Sequence, residues 1–497
     1  MTCGSSSSGS DMTARVVRGT SSTGRALSAG DLGPSRHQLT LIVLIVAIAA
    51  FMQMLDASVL SVAIPQMARS FRVSPVDLGV SVTAYVVASA VLLPSSGWLA
   101  DRLGARRLFV FATIAFTLAS VLCGISRTLP QFVGARVLQG IGGAVLSPAG
   151  SIILMRIIPR RDLVQMMNVF SAPMLAAPLL GPPIGGLITT WLGWPWIFFL
   201  NVPVGIVCVM LTLRFVPVSA ITVRPFDTRG FVLSGGALAT LIFGFGAVGI
   251  GGGLFSGLVA ILAGCVLAAA AIRHGLNAPH PLLSFSPARS RVFRLVTLIG
   301  LPFMRLPVAA LPFVIPIALQ IGLGMTAFAS GLLFLAHSLG DLMTRLLTGR
   351  VFRRFGYRTV MLWGIWGFAL SVAGCAVIGA GTPMPVIAAL LFVGGCFRSF
   401  LMTAMGTLSY AEFAPEEMPA ATTLSQVTIQ LVQAIGVSIA VILLDVVVAA
   451  RGGIQGVVGL AECRFVLVAV AVVSLSALWP IGILERDTGA ELSGHGS

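Results

Sequence analysis

Gly97-Trp98-Leu99-Ala100-Asp101-Arg102-Leu103-Gly104-Ala105-Arg106 and Gly349-Arg350-Val351-Phe352-Arg353-Arg354-Phe355-Gly356-Tyr357-Arg358 are two copies of one pattern, about half a chain length apart. Both glycines and both following arginines align without a gap. Each copy lies between two apolar runs. A chain that carries the same short polar connection in each half reads as a duplicated membrane protein. Duplicated halves that meet at a site near the bilayer midplane are a transporter design.

The rest of the chain is apolar enough for that reading. Its 497 residues are 57% hydrophobic and 9% charged, with a mean hydropathy of +1.00. A soluble domain carries roughly 25% charged residues, because its surface must face water; here most of the surface faces lipid. Apolar segments fall near 40–65, 78–99, 108–126, 130–155, 163–189, 196–215, 229–249, 253–272, 293–320, 326–348, 358–380, 384–409, 420–446 and 463–484. Each is close to the roughly 20 residues that cross about 30 Å of hydrocarbon. The glycine-rich stretch around 244–256 separates the seventh and eighth least clearly. The fold class expected is all-α and integral to the membrane: two pseudo-symmetric six-helix bundles plus two inserted helices, fourteen in all.

Charge supports that count. The formal net charge is +15, and all 31 basic residues are Arg. A nucleic-acid binder would cluster them on one water-exposed face, whereas here they fall in short gaps between apolar runs. With the N-terminus inside, twenty-two lie on inside segments and at most five on outside ones (Arg69, Arg72, Arg127, Arg451 and Arg464). Positive charge is retained on the cytoplasmic side, and a missed segment would invert every later connection. Both termini are therefore expected in the cytoplasm. The domains expected are a basic disordered tail over 1–37, a six-helix bundle over 38–215, a linker with two extra helices over 216–292, a second bundle over 293–484 and a short tail over 485–497. The tail lacks the apolar stretch of a cleavable signal. The seven cysteines form no C-x-x-C or His/Cys cluster, so no metal site is expected.

Four motifs stand in order along the first half. Leu55-Asp56-Ala57-Ser58-Val59-Leu60-Ser61-Val62-Ala63-Ile64-Pro65 lies in the first segment, and the connection from Gly97 to Arg107 follows the second. Arg136-Val137-Leu138-Gln139-Gly140-Ile141-Gly142-Gly143 lies in the fourth, and Gly181-Pro182-Pro183-Ile184-Gly185-Gly186 in the fifth. Trp196 to Gly205, with Asn201 and Pro203, and Phe226-Asp227-x-x-Gly230 extend the series. Together these resemble the major facilitator superfamily, specifically its fourteen-helix drug:proton antiporter branch, over roughly residues 38–484. Ser58 and Ser61 stand where the branch pattern has Thr and Asn. The resemblance implies a proton-coupled exporter of drug-like molecules working by alternating access, powered by the proton gradient and needing no cofactor. The partners expected are a small-molecule substrate, protons and the bilayer, with no nucleic acid. A periplasmic adaptor stays open, the chain otherwise acting as a monomer. Basic usage confined to Arg, with abundant Ala, Gly and Val, suggests a GC-rich bacterial genome, and the location expected is the bacterial cytoplasmic membrane.

A carboxylate at membrane depth is costly and marks a functional candidate. Asp56 lies about nine residues, roughly 13 Å, from the outer end of its segment, and Arg136 about six residues, roughly 9 Å, from the outer start of its own. The two share a depth, so an ion pair is feasible; it serves either as a static bridge or as a proton-linked pair, the role the resemblance implies. Gly97 and Gly104 permit a tight turn and close helix approach. Asp101 can cap a helix or pair with arginine across the inner face, and the resemblance makes Gly97, Asp101, Arg102, Gly104, Arg106 and Arg107 a conformational latch. Gly181, Pro182, Gly185 and Gly186 place a kink and small surfaces in the fifth helix; the resemblance reads them as the exporter motif.

In the second half, His337, Asp341 and Arg345 share one helix face. A local Asp341–Arg345 pair is the plainer expectation, a second proton relay the sharper one. Arg305 and Arg398 lie more than ten residues into their segments. Pro302, Pro307, Pro312 and Pro316 predict that the ninth helix is broken. Three deep arginines, Arg136, Arg305 and Arg398, against two acids raise an alternative: transport of organic anions, in either direction. Otherwise backbone carbonyls satisfy these arginines. Tyr85, Gln139, Phe303, Gln320 and Tyr410 are candidates for lining a cavity. Of other classes, an intramembrane metalloprotease needs H-E-x-x-H and an ATP-driven pump needs G-x-x-x-x-G-K-[ST]; the chain has neither, and no Lys. A non-transporting receptor or scaffold on the same fold is the remaining reading.

Overall fold

A computed structural model describes residues 36–159, 162–218, 221, 225–249, 253–279, 281–414, 417–450 and 459–485. The tail expected over 1–37, apart from its last two residues, lies outside them. So do the C-terminal tail beyond Glu485 and Arg160, Arg161, Arg224 and Arg451. The described residues form helices joined by short connections, with no strand among them.

Fourteen helices are long and apolar enough to span a bilayer, and each matches one predicted segment. The first six are α1 (Arg36–Phe71), α2 (Pro75–Leu103), α3 (Ala105–Ile125), α4 (Leu129–Ile157), α5 (Gln165–Trp191) and α6 (Pro195–Phe215). The inserted pair is α7 (Thr228–Val248) and α8 (Leu254–Asn277). The last six are α9 (Arg291–Gly322), α10 (Ala327–Phe355), α11 (Tyr357–Ala376), α12 (Met384–Leu408), α13 (Met418–Val448) and α14 (Leu460–Gly482). Helix is the only element that can satisfy every backbone group within a spanning segment. Where the spans begin follows from capping chemistry. Ser74 and Asp77 close a capping box at α2: the Asp77 N–H donates to Ser74 Oγ (3.1 Å), and the Ser74 N–H donates to Asp77 Oδ2 (3.0 Å). Thr326 caps α10 by accepting from the Ala329 N–H.

The two copies of the repeated pattern adopt one conformation. Each ends a helix on a glycine in a region closed to other residues, Gly104 at φ 82° and ψ 133° and Gly356 at φ 74° and ψ 158°. Both then open the next helix. These turns need glycine because a Cβ is strained there. Gly97 does not share that role: the helix runs through it, and nothing lies within 4 Å of where its Cβ would be. The expectation of a turn at Gly97 is corrected; the helix ends one turn later than the hydrophobic run does.

The ninth helix is also corrected: it is continuous. Its prolines are accommodated by two π-helical stretches, Arg294–Gly300 just before Pro302 and Ala318–Gly322 just after Pro316. Widening the turn re-routes the hydrogen bonds that proline removes, without breaking the rod.

α7 and α8 pack against each other, and the pair rests on α2 and α13, one helix from each half. At the end that carries Gly104 the pair is fastened by Asp227. Its Oδ1 accepts from the Gly230 N–H at 2.8 Å and pairs with His274 Nε2 at 2.8 Å, while Oδ2 accepts from the Leu282 N–H at 3.1 Å. Burial pushes the Asp227 carboxyl up, but these donors outweigh it and hold the group below its ordinary 3.8. A carboxyl depressed on folding stabilises fully above that ordinary value and loses its contribution as pH falls through the lower folded one. Asp227→Ala is therefore expected to cost about 1–3 kcal/mol at neutral pH and to open the 279–290 connection to protease. The difference from wild type should narrow below about pH 4, in thermal unfolding scans of detergent-solubilised protein.

Candidate functional site

Four helices of the first half converge on Asp56, which is 4% exposed. Arg136 on α4, 1% exposed, donates from Nη1 to Asp56 Oδ2 at 2.9 Å. Gln139, one turn along α4, donates from Nε2 to Asp56 Oδ1 at 2.9 Å and to Ser120 Oγ on α3 at 2.9 Å. Asn201 at the bend of α6 donates from Nδ2 to the same Oδ1 at 2.8 Å. The carboxylate thus accepts from a guanidinium and two amides. Tyr85 on α2 lies over Arg136, its ring centroid 4.4 Å from the guanidinium carbon. Gln53, one helical turn before Asp56, donates to Tyr85 Oη at 3.2 Å and to the Gly143 carbonyl at 3.0 Å. Ser147 donates to Gln53 Oε1.

The pairing of Asp56 with Arg136 follows from depth, since each is the one charge near the middle of its helix. Tyr85 and Gln139 stand here, in the network around Asp56. Asn201 entered the sequence argument only as part of a motif, and Ser120 and Gln53 did not enter it. Polar residues inside apolar segments were the available signal, but serines and glutamines also occur at ordinary helix contacts. Arg136 Nε has no hydrogen-bond partner although it is buried.

Gly181, Gly185 and Gly186 form a flat face on α5. A Cβ on Gly181 would strike Ser58 and one on Gly185 would strike Val59, both on α1. One on Gly186 would lie 2.6 Å from the Ala327 carbonyl of α10. Gly331 of α10 is equally pressed against the Pro182 carbonyl. The two halves touch here through backbone. Hydrogen bonds cross between them from Gln320 Nε2 to the Val62 carbonyl (3.0 Å), from the Phe328 N–H to Thr190 Oγ1 (3.2 Å) and from Ser338 Oγ to the Pro178 carbonyl (2.9 Å). These contacts run from mid-depth to the end that carries Trp194, where Phe71, Phe132, Trp194 and Phe198 form an aromatic cluster.

At the opposite end, Asp101 Oδ1 accepts from Arg156 Nη2 of α4 at 2.8 Å, so its partner is an arginine across the face. Arg102 lies 5.3 Å from the Trp98 ring centroid, Arg106 donates to the Leu213 carbonyl of α6, and Arg107 is exposed.

In the second half Asp341 pairs with Arg398 of α12 at 2.9 Å, closer than with Arg345 at 3.3 Å. The local Asp341–Arg345 pair is present, and a helix-to-helix bridge to Arg398 joins it where Gly395 of α12 and Gly340 of α10 bring the two helices together, each against a carbonyl of the other helix. His337 Nδ1 lies 3.1 Å from the Leu391 carbonyl. Arg305 on α9 is in neither pair. Phe303 is half-buried on the same helix, and Tyr410 follows the end of α12.

The model of the Major Facilitator Superfamily matches residues 46–304 and 297–493. The chain is a member of the Major Facilitator Superfamily. Among relatives of this superfamily member is the "Putative multidrug resistance protein MdtD" of Citrobacter koseri, 37% identical over 404 residues, covering 80% of this chain and 85% of the relative. The protein of the same name from Klebsiella pneumoniae is 37% identical over 408 residues, with the same coverage. Two solved structures share the fold: the human organic anion transporter MFSD10 (TM-score 0.57, 14% identity, 90% of this chain and 100% of that one) and an auto-inhibited POT family peptide transporter (TM-score 0.63, 16% identity, 90% and 97%). As a superfamily member with relatives named for multidrug resistance, this multi-pass membrane protein is a transporter and not an enzyme.

The Asp56 network has a measurable energetic signature. Removing one member of a buried ion pair strands the other, at a cost of about 3–5 kcal/mol, whereas replacing both costs far less. Asp56→Ala is expected to lower unfolding stability by that amount, and Asp56→Asn with Arg136→Gln by much less. Thermal unfolding in detergent decides it; equal losses would show that the pair is not a coupled unit.

Proposed function

We propose that the chain exports small, drug-like molecules across a bacterial cytoplasmic membrane in exchange for protons, by alternating access. The observation that carries this is the saturated carboxylate of Asp56, buried at mid-depth on Arg136, Gln139 and Asn201. Relatives named for multidrug resistance support the class of cargo. The arginine distribution supports a cytoplasmic location for the Gly104 end and for both termini.

The chemistry of coupling lies in the arithmetic of donors. An ionised carboxylate only accepts hydrogen bonds, while the protonated acid also donates one. A proton arriving on Asp56 removes the charge that balances Arg136, and it places an O–H where one of three donors now points. Arg136 is then a cation without a counter-charge in a low-dielectric interior, left with the Gln139 amide oxygen and the Tyr85 ring, a state too costly to persist. The helices that hold the two residues must shift until Arg136 finds another acceptor or Asp56 gives up its proton. A movement of α1 against α4 is transmitted to α5, because Gly181 and Gly185 seat α5 directly on Ser58 and Val59 of α1. From α5 it reaches the second half through Gly186, Pro182 and Gly331. The halves meet by hydrogen bonds at the Trp194 end, so the orientation supports a conformation closed toward the outside. The cation-specific acid that a cavity for lipophilic cations requires is absent among the described mid-depth residues beyond Asp56 and Asp341, both of which are paired.

Asp56→Asn keeps the shape and one acceptor but cannot carry a proton. In proteoliposomes with an imposed pH gradient and a panel of labelled drug-like substrates, it is expected to abolish gradient-driven flux while inserting in the membrane at wild-type levels. Full gradient-driven flux in that variant would overturn the assignment of Asp56 as the proton carrier.

A further inference from the structure

The deep charges of the second half do not balance. Arg136 is matched by Asp56, and Arg398 by Asp341, which also takes Arg345 on the same Oδ2. Arg305 has no carboxylate within ion-pair distance among the described residues. Its Nε is buried without a hydrogen-bond partner, and no backbone carbonyl among the described residues accepts from its guanidinium. Arg398, of like charge, and the phenol of Tyr410 both act on it electrostatically. The group is placed at mid-helix in α9, fourteen residues from Arg291 at the helix start, or about 21 Å along the axis. Its neighbours Arg398 and Tyr410 belong to α12 and the turn after it, so it faces the bundle interior and not lipid. The residue is half-buried, hence not sealed within the packing.

A guanidinium held in a low-dielectric interior beside a second guanidinium is unfavourable on its own. No hydrogen bond or ion pair among the described residues relieves it, and the buried Oδ1 of Asp341 has no hydrogen-bond donor among them either. An anion placed against Arg305 would relieve both the missing acceptor and the repulsion from Arg398. The guanidinium fork matches a carboxylate, sulfonate or phosphate through two parallel N–H donors.

We propose that Arg305 is the charge-reading group of a substrate site, and that the cargo class this protein prefers is an amphipathic organic anion: an apolar body carrying a carboxylate, sulfonate or phosphate. This narrows the anion reading of the three deep arginines to one residue, because Arg136 and Arg398 each already have a carboxylate partner. It rests on the reading of the protein as a transporter, since it names the cargo of that activity.

The test measures binding apart from transport. Purified wild-type protein in detergent is titrated calorimetrically with naphthalene-2-carboxylate, naphthalene-2-sulfonate and 2-naphthyl phosphate, and with uncharged naphthalene-2-carboxamide. Arg305→Gln and Arg305→Lys are titrated alongside, with thermal unfolding to verify folding. At least one anion is expected to bind wild type about tenfold more tightly than the amide, the scale of a charge-assisted hydrogen bond. Arg305→Gln should erase that preference while leaving amide binding within about twofold, and Arg305→Lys should keep most of it. Wild type showing no preference for any of the three anions overturns the proposal, as does a preference that survives Arg305→Gln. If the Gln variant fails to fold, the anion-over-amide preference of wild type and its persistence in Arg305→Lys decide the matter. Flux of the same compounds in proteoliposomes separates the two claims. Anion binding without any flux overturns the transport reading and leaves the site standing; flux of anion and amide at equal rates, unaffected at Arg305, does the reverse.

Discussion

A charge carried into a bilayer must meet its opposite there, because no water is at hand to replace it. Asp56 and Arg136, 2.9 Å apart, satisfy that constraint for each other, and the first half of the protein is arranged around them. α1 supplies the acid, α4 the base and Gln139, α3 the serine behind them, α6 the second amide and α2 the aromatic face. Each helix is long and apolar, and other buried hydroxyls on these helices, such as Ser81, Thr113 and Thr117, bond to the backbone of their own helix. The same constraint that holds the bundle together makes it sensitive to a single proton, since neutralising either partner unbalances the other.

The second half repeats the scaffold and not the chemistry. Gly104 and Gly356 make the same turn at nearly the same φ. Gly142-Gly143 and Gly394-Gly395 recur at the same spacing after those turns, and in each half they let the fourth helix press on the second or third. Tyr85 and His337 stand at the same distance before the two copies of the repeated pattern. Yet Tyr85 covers the Arg136 guanidinium, whereas His337 faces a backbone carbonyl of α12. Duplication preserved positions where the backbone requires glycine and released those where a side chain does the work. The two ion pairs are accordingly inequivalent, one sealed and one with an oxygen left over.

Most of the architecture was legible because the bilayer imposes a length. Fourteen apolar runs became fourteen helices, their parity supported by arginines such as Arg102, Arg106 and Arg107 gathered at one end. The shared depth of Asp56 and Arg136 could be computed from helical rise alone. What stayed hidden depended on rotation about helix axes, which a uniformly apolar helix does not encode. Whether Asp341 would choose Arg345 on its own helix or Arg398 across the gap is one such case, and Asn201 turning inward is another. The continuity of α9 was hidden for a different reason: proline signals a lost hydrogen bond, but not that a π-helical turn beside it will take up the slack. Gly97 misled in the opposite sense, because a glycine at an open helix surface looks the same in sequence as one at a turn.

The central claim is that movement of cargo and movement of protons are one event at Asp56. It is tested most directly by adding substrate to one side of proteoliposomes holding wild-type protein, with no initial pH gradient, and following internal pH together with substrate. The account predicts protons moving opposite to substrate, in step with it and stopping when it stops. Substrate crossing the membrane with no accompanying proton movement would contradict it.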